Sequence, residues 1–245
     1  MNTTLLRNNL RSKGKSKVIW ISLLVPVLLV FTAWMAFKSL YAYPSVDSIY
    51  NLTIQLSLLC IVPLGVILSY WDQEKVIRDA QMTLTKPITR LNFFVGEYFA
   101  GAGIIYLLLL FSGMSVSIVS YYYGYFSWKI ILAFCSTLPT VLLSEGTMLL
   151  ISLLFSYMKA LIIGMALCCG GLFRLSIGAA GKALLGISGI EWILPNLQFG
   201  MFTSMNCIYK DYIPPEIFMH SFFIWLVELV IVCSIDYFLF KRRDL

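Results

Sequence analysis

Ionisable side chains within long apolar runs are the residues of this sequence that could do chemistry. Glu145 and Glu228 lie near the middle of two such runs, and Arg174 lies within a third. A charge at the centre of a membrane costs about 2.5 to 3.5 kcal/mol on insertion scales, so such residues usually face a partner or a water-filled cavity. In one interpretation, the two glutamates line a translocation path and attract a cationic substrate. In the other, each is a buried carboxyl, protonated or paired with Arg174, that ties helices together.

Groups suited to catalysis or metal binding are scarce. The chain has one histidine, His220, and no carboxylate pair or His/Cys cluster at metal-ligand spacing accompanies it. Residues 178–183 superficially resemble a phosphate-binding loop but lack its spacing and its Ser or Thr. Five of the six cysteines lie within apolar runs, where a thiol behaves as a small apolar group, so no disulfide framework is indicated. We therefore predict a chain that is not an enzyme, has no metal or cofactor of its own, and does not itself hydrolyse ATP.

The composition indicates that most of the chain lies in a membrane. Hydrophobic residues make up 60% and charged residues 12% of the 245 residues, and the mean hydropathy is +0.85. In soluble domains, about 45 to 50% of residues are apolar and about 25% are charged. A membrane-spanning helix needs roughly 20 mostly apolar residues. We predict a single all-α domain over residues 1–245, a polytopic membrane protein with six transmembrane helices. The six apolar runs cover approximately residues 18–40, 52–70, 98–121, 129–155, 160–180 and 217–240.

The basic residues predict the orientation of these spans, because Lys and Arg are enriched in cytoplasmic loops. With both termini inside, 13 basic residues lie near the inner ends of spans and 4 near the outer ends. We therefore predict an N-in, C-in topology. The net charge of +6 reflects this topology and an attraction to anionic lipid, and it leaves no basic surface for nucleic acid. The four outer residues are Lys38, Lys129, Lys182 and Lys210.

A polar stretch between the second and third runs has the periodicity of an amphipathic helix. Three apolar residues recur at helical spacing, and Glu74 can pair with Arg78 across one turn. The predicted topology puts this helix against the inner face of the membrane. The three apolar residues are Ile77, Ala80 and Leu84.

This amphipathic helix is predicted to end at Pro87. The residue before a proline is disfavoured in the helical region, and Thr89 can accept a backbone N–H at the start of a new helix. Residues 71–97 are thus predicted to form a helix, a break and a second helix.

Two further segments are predicted to lie at the membrane surfaces. Residues 1–17 carry leucines on one side and arginines on the other, which indicates either an interfacial amphipathic helix or a disordered basic tail. Residues 181–215 contain two short apolar pieces, 190–194 and 197–202, split by Pro195–Asn196. We interpret these pieces as half-helices that dip into the outer leaflet and return, which requires protein or a cavity to satisfy their backbone.

The order of these elements resembles the permease subunit of an ABC type-2 transporter. The shared features are six spans with both ends inside, an amphipathic lead-in, a helical inner loop between the second and third spans, and split outer half-helices before the sixth. The local match is Glu74, the run Met82-Thr83-Leu84-Thr85-Lys86-Pro87-Ile88-Thr89-Arg90, and Gly96. In that family a lysine often follows the glycine, whereas this chain has Glu97.

The resemblance implies that residues 74–90 form a coupling helix that docks on a separate ATP-binding subunit. It implies a working unit of two permease chains, identical or related, and two ABC ATPase chains, which would hold the ATP and Mg²⁺. The small size is most similar to bacterial permeases of lantibiotic immunity, bacitracin resistance and drug efflux, which implies export of an amphipathic substrate across the cytoplasmic membrane. The residues expected to couple the chain to the ATPase are Glu74, Ile77, Arg78, Leu84, Pro87 and Arg90.

Two other functional classes place different demands on the sequence. A stand-alone channel or secondary transporter is expected to have an ion or proton site at the membrane midplane and often internal repeats, but the two halves of this chain show no convincing repeat. An intramembrane enzyme would need clustered catalytic groups, which the lone His220 and the scattered glutamates do not supply. The stand-alone transporter is kept as the alternative function.

Overall fold

The structure, a computed structural model, describes residues 24–40, 45–71, 89–155, 157–186, 188–209 and 213–242. Every secondary-structure element within these ranges is helical, so the predicted all-α class is confirmed for them. The elements are α1 (Leu24–Lys38), α2 (Val46–Trp71), α3 (Arg90–Tyr122), α4 (Trp128–Cys135), α5 (Leu138–Leu154), α6 (Tyr157–Leu172), α7 (Arg174–Leu185), a 3₁₀ turn (Ile190–Ile193), α8 (Gln198–Ile208) and α9 (Pro215–Arg242).

Four helical stretches are long and apolar enough to cross a membrane. They are Val46–Pro63, Arg90–Tyr122, Trp128–Leu154 and Pro215–Arg242. The bent pair α6 and α7 would make a fifth, and Pro26–Lys38 is a shorter apolar helix. By length and composition, the described helices are thus those of a membrane protein with several spans. Six spans and the N-in, C-in orientation remain predictions.

The centre of the bundle is formed by α2, α3 and α5, which contact one another. Around them, α1 packs on α2 and α3, α6 packs on α2 and α5, and α9 packs mainly on α5. Each span has an apolar stretch, and the buried share of that stretch is half or more in α2, α3 and α4–α5. In α9 the buried share is 6%. α9 is therefore a peripheral helix that meets the bundle along one narrow stripe. The buried residues of this stripe are Ser221, Trp225, Asp236 and Phe240.

The fourth apolar run is broken at Ser136 and Thr137, between α4 and α5. Pro139 lies in the first turn of α5 and has no N–H. In a regular helix the N–H of residue 139 would donate to the carbonyl of Cys135, so this carbonyl has no helical donor. Neighbouring helices supply donors instead. The donors are the hydroxyls of Tyr106 to Cys135 O (2.9 Å), Thr203 to Ser136 O (2.6 Å) and Ser204 to Ala133 O (2.9 Å).

The fifth apolar run, predicted as one span over residues 160–180, is divided at Phe173. The axes of α6 and α7 differ by 89° across this break. A Cβ on Gly171 would lie 2.6 Å from the carbonyl oxygen of Pro195, so the chain approaches too closely here for any other residue. Arg174 then begins α7 and is buried. The run is bent because it packs against the backbone at Pro195 and because Arg174 must reach a partner, and neither requirement is visible in the length of an apolar run.

α3 begins where the sequence predicted a new helix. Thr89 is its N-cap, and the Thr89 side chain accepts the backbone N–H of Asn92 at 3.3 Å. The predicted role of Thr89 is confirmed. The preceding residues 72–88, which include Pro87 and most of the predicted coupling segment, lie outside the described residues, as does the predicted interfacial segment 1–17.

Candidate functional site

An ion pair between α7 and α9 joins two of the three charged residues that the sequence analysis singled out. The Nη1 of Arg174 donates to Oε1 of Glu228 at 2.6 Å, and the two side chains are 5% and 23% exposed. Pairing offsets much of the cost of burying each charge alone. The pairing of Glu228 with Arg174, one of the two interpretations from the sequence, is confirmed.

The second oxygen of Glu228 accepts a hydrogen bond from the non-helical segment between the 3₁₀ turn and α8. The backbone N–H of Asn196 donates to Oε2 of Glu228 at 2.6 Å. The side-chain amide of Asn196 donates to the carbonyl and hydroxyl oxygens of Ser221 at 2.9 and 3.1 Å. Because Asn196 lies outside a helix, its N–H is available for a side chain. Both oxygens of Glu228 therefore have donors, and its negative charge is compensated.

A cavity of about 200 Å³ lies beside this ion pair. One part of its wall is polar and another is apolar, and the guanidinium of Arg174 lies 5.3 Å from the centre of the Trp192 ring. This arrangement suits a small polar group attached to an apolar one. The polar lining residues are Arg174, Glu191, Asn196, Gln198, His220 and Ser221, and the apolar ones include Trp192, Phe202, Ile217 and Ile224.

A second polar cluster lies where α3, α5 and α9 meet. Its member on α9 is Asp236, which lies about 9 Å along the helix axis before the end of α9 at Arg242. Glu145 and Asp236 are both 0% exposed and close enough to interact electrostatically. The Tyr98 hydroxyl, in the same cluster, donates to the carbonyl of Leu142 at 2.5 Å. A Cβ on Gly101 would collide with the Glu145 carboxylate, so Gly101 leaves the space that this carboxylate occupies.

Asp236 differs from the other acidic side chains in this region. Neither of its carboxylate oxygens has a hydrogen-bond partner among the described residues. The sequence analysis did not select Asp236, although it lies within the sixth apolar run, eight residues after Glu228. The signal that selected Glu228, an acidic residue within an apolar run, would have found Asp236 as well.

One of the six residues expected to couple the chain to an ATPase lies in the described part of the chain. Of the six, Arg90 is described, and the other five, Glu74, Ile77, Arg78, Leu84 and Pro87, lie outside the described residues. The structure therefore bears on this prediction only through the start of α3.

Arg90 joins the start of α3 to the end of α9. Its Nη1 donates to the backbone carbonyl of Lys241 at 2.7 Å. One turn further on, the ring of Phe93 stacks on Phe240 with 5.9 Å between centroids, and Phe94 lies 5.9 Å from the same ring. These contacts join the start of α3 to the end of α9.

The described side chains of the two clusters form hydrogen bonds, and those of the first also form an ion pair. Within the described ranges, no group of three His, Cys, Asp or Glu side chains could hold a metal ion. All six cysteines are free thiols. In the cavity, the Ser221 hydroxyl contacts the amide of Asn196. The chemistry that these clusters offer is ion pairing, hydrogen bonding and proton exchange.

No protein-family model and no curated protein matches this sequence.

Proposed function

We propose that this chain is the membrane-spanning subunit of a bacterial ABC type-2 exporter. It works in the cytoplasmic membrane with two ABC ATPase subunits, which hold ATP and Mg²⁺, and with a second permease chain, identical or related. Its substrate is an amphipathic molecule, such as a lantibiotic, another peptide antibiotic or a drug. The observation that carries the proposal is the sequence from Glu74 to Gly96, which resembles the coupling segment of that family.

Contacts at the start of α3 support transmission of movement from the coupling segment into the membrane. The segment leads directly into Thr89 and Arg90, and Arg90 is hydrogen-bonded to Lys241 at the end of α9. Stacking of Phe93 on Phe240 reinforces this junction. A force on residues 72–88 therefore acts on α3 and α9 together.

Joint movement of α3 and α9 would reach both polar clusters. α9 carries Glu228 beside the cavity and Asp236 in the second cluster, while α3 carries Tyr98 and Gly101. ATP binding closes the two ATPase subunits, and their movement shifts α3 and α9 relative to α5 and α7. ATP can drive export only if the substrate binds the two resulting states with different affinity.

The cavity beside Arg174 has a lining that suits part of an amphipathic substrate. Its polar wall can bind a polar head group, and its apolar wall, which includes Ile217 and Ile224, can accept an apolar portion. Of the three residues predicted to lie on a substrate path, Arg174 lines this cavity, and Glu145 and Glu228 do not.

The experiment that tests this function is purification of the full chain from its native cells. An ATPase with a Walker A loop is expected to co-purify. A Pro87→Gly variant and a paired Glu74→Ala, Arg78→Ala variant should insert normally yet fail to couple ATP hydrolysis to transport, measured as cellular resistance to cationic antimicrobial peptides. The matched control is Lys182→Ala on α7, an exposed lysine outside residues 74–90 of the sequence. If the coupling variants confer normal resistance, the coupling assignment is wrong, and if no ATPase accompanies the chain, the function is wrong.

The alternative function, a stand-alone channel or secondary transporter, is favoured by one observation. Glu145 and Asp236 are two fully buried carboxyls in neighbouring spans, and proton or ion sites of secondary transporters use such groups. Liposomes that contain the purified chain alone separate the two functions. Uptake driven by a proton gradient without an ATPase would establish the alternative and exclude the exporter.

A further inference from the structure

We propose that Asp236 is a proton-binding site at the junction of α3, α5 and α9, and that its proton is exchanged when this junction opens to water. The site depends on contacts within this chain alone. It therefore stands whether the chain works with an ATPase or by itself.

The first support is the isolation of the Asp236 carboxyl. The side chain is 0% exposed, and neither oxygen has a hydrogen-bond partner in the part of the chain that the structure describes. An ionised carboxylate buried without a partner costs several kcal/mol, whereas a protonated acid carries no net charge and can also donate a hydrogen bond. A proton is the ligand that removes most of this cost.

The second support is the sign of the surrounding charges. On α5, Glu145 acts electrostatically on Asp236 and has the same sign. On α9 itself, Cys233 is close and contributes no positive charge. Two acidic groups that share one site of low dielectric constant do not both ionise readily, and one of them retains a proton.

Among the described residues, the other titratable groups that interact with Asp236, Glu145 or Tyr98 are not cations. On α3, Tyr98 uses its hydroxyl proton for the carbonyl of Leu142, and the neighbouring Glu97 has one buried carboxylate oxygen. On α6, the buried thiol of Cys168 lies within electrostatic range of Glu145. Tyr237 on α9 packs on Phe94. None of these groups can neutralise Asp236 by an ion pair.

A metal ion would be the other way to compensate the carboxylate. Metal sites need several donors at once, and across the described ranges no three His, Cys, Asp or Glu side chains are grouped to hold an ion. The geometry therefore favours a proton.

Close contact between α5 and α9 keeps water from the site in this conformation. A Cβ on Gly146 would lie 3.1 Å from Cγ1 of Val232 and 3.5 Å from Cε2 of Tyr98. α9 is otherwise peripheral, with 6% of its apolar stretch buried. A modest separation of α9 from α5 would admit water to Asp236, and the carboxyl could then release its proton.

The test uses dicyclohexylcarbodiimide, an apolar reagent that modifies protonated carboxyls in apolar surroundings. A reagent nitrogen takes the acid proton while the carboxylate oxygen adds to the central carbon, and the acyl group then migrates from oxygen to nitrogen. The whole reagent is added and no group leaves, so the product is a stable N-acylurea. The purified full chain in liposomes is treated at mildly acidic, neutral and mildly alkaline pH, and the modified residue is identified by mass spectrometry of peptides.

We expect the adduct on Asp236 at neutral pH, with the yield falling as the pH rises because the ionised form does not react. Glu228 is the internal control on the same helix: its ion pair with Arg174 should leave it unmodified under the same conditions. An adduct on Glu228 with none on Asp236 would overturn the proposal, and so would the absence of any adduct on Asp236 at every pH. In Asp236→Asn the adduct at this position should disappear.

A second variant tests the link to opening. Gly146→Leu forces α5 and α9 apart beside Asp236, so water should reach the carboxyl, and at neutral pH the adduct yield should fall several-fold relative to the unaltered chain. An independent measurement is the infrared carbonyl band of a protonated carboxylic acid, which should be present in the unaltered chain and weaker in both Gly146→Leu and Asp236→Asn. An unchanged adduct yield and an unchanged band in Gly146→Leu would contradict proton exchange on opening.

Discussion

Glu228 and Asp236 are two acidic residues on one helix that differ in their burial and in their hydrogen-bond partners. They are eight residues apart, which is about 12 Å along α9. Glu228 has Arg174 on one oxygen and the N–H of Asn196 on the other. Asp236 is more deeply buried and has no hydrogen-bond partner among the described residues.

The difference follows from what each side chain faces. The two residues project about 80° apart around the helix axis. Glu228 faces the non-helical residues between the 3₁₀ turn and α8, where a backbone N–H is free of helical hydrogen bonds. Arg174, the first residue of α7, is also within reach. Asp236 faces α3 and α5, whose backbone N–H groups are used within their own helices. An acidic residue in a helix bundle can thus stay charged beside a break in the chain, whereas among intact helices it requires a proton.

The largest expected effect comes from removing the cation of the paired region. Arg174→Met removes the cation beside Glu228 and leaves the N–H of Asn196 as its donor, and the loss of stability should be about 3 to 5 kcal/mol. The free energy of unfolding in detergent micelles measures this loss. Lys182→Met on the same helix is the control, because Lys182 is exposed, and its effect should be small. An equal, small effect of both changes would show that the ion pair does not stabilise the fold.

A smaller effect of opposite sign is expected in the unpaired region. Asp236→Leu replaces a buried acid that has no partner by an apolar side chain, and the gain in stability should be about 1 to 3 kcal/mol, the cost of an unsatisfied buried polar group. The same unfolding measurement applies. A loss of stability instead would mean that Asp236 has a stabilising partner and that the contrast with Glu228 is false.

The smallest expected effect tests whether carbonyls at an interrupted helix need hydrogen-bond donors from other helices. Tyr106→Phe removes the hydroxyl that donates to Cys135 O, the carbonyl that Pro139 leaves without a helical donor. The expected loss is about 1 kcal/mol of unfolding free energy. Tyr121→Phe, at an exposed position on the same helix, should change stability very little. A similar result for both variants would contradict the need for that donor.

Parts of the fold could be predicted because local rules decide them. The helical character of the apolar runs and the start of α3 at Thr89 each depend on residues close in sequence. The ion pair of Arg174 with Glu228 was one of two alternatives, because charge alone shows that each needs a partner but not which one.

Other features depend on contacts between distant segments. The 89° bend at Phe173 requires the approach of Gly171 to the backbone of Pro195. The role of Asn196 depends on where its N–H lies relative to Glu228, which is 32 residues away in the chain. No local pattern contains these distances.

By itself, the amino-acid sequence determined that this chain is helical, apolar enough for a membrane, and obliged to compensate a few buried charges. It could do so because hydrophobicity, proline and helix-capping residues act over a few neighbouring positions. Only the tertiary structure decided that Glu228 is compensated by Arg174 and Asn196 while Asp236 is left among intact helices. The reason is physical: whether a buried carboxyl meets a donor depends on the face it presents to other helices, and packing sets that face.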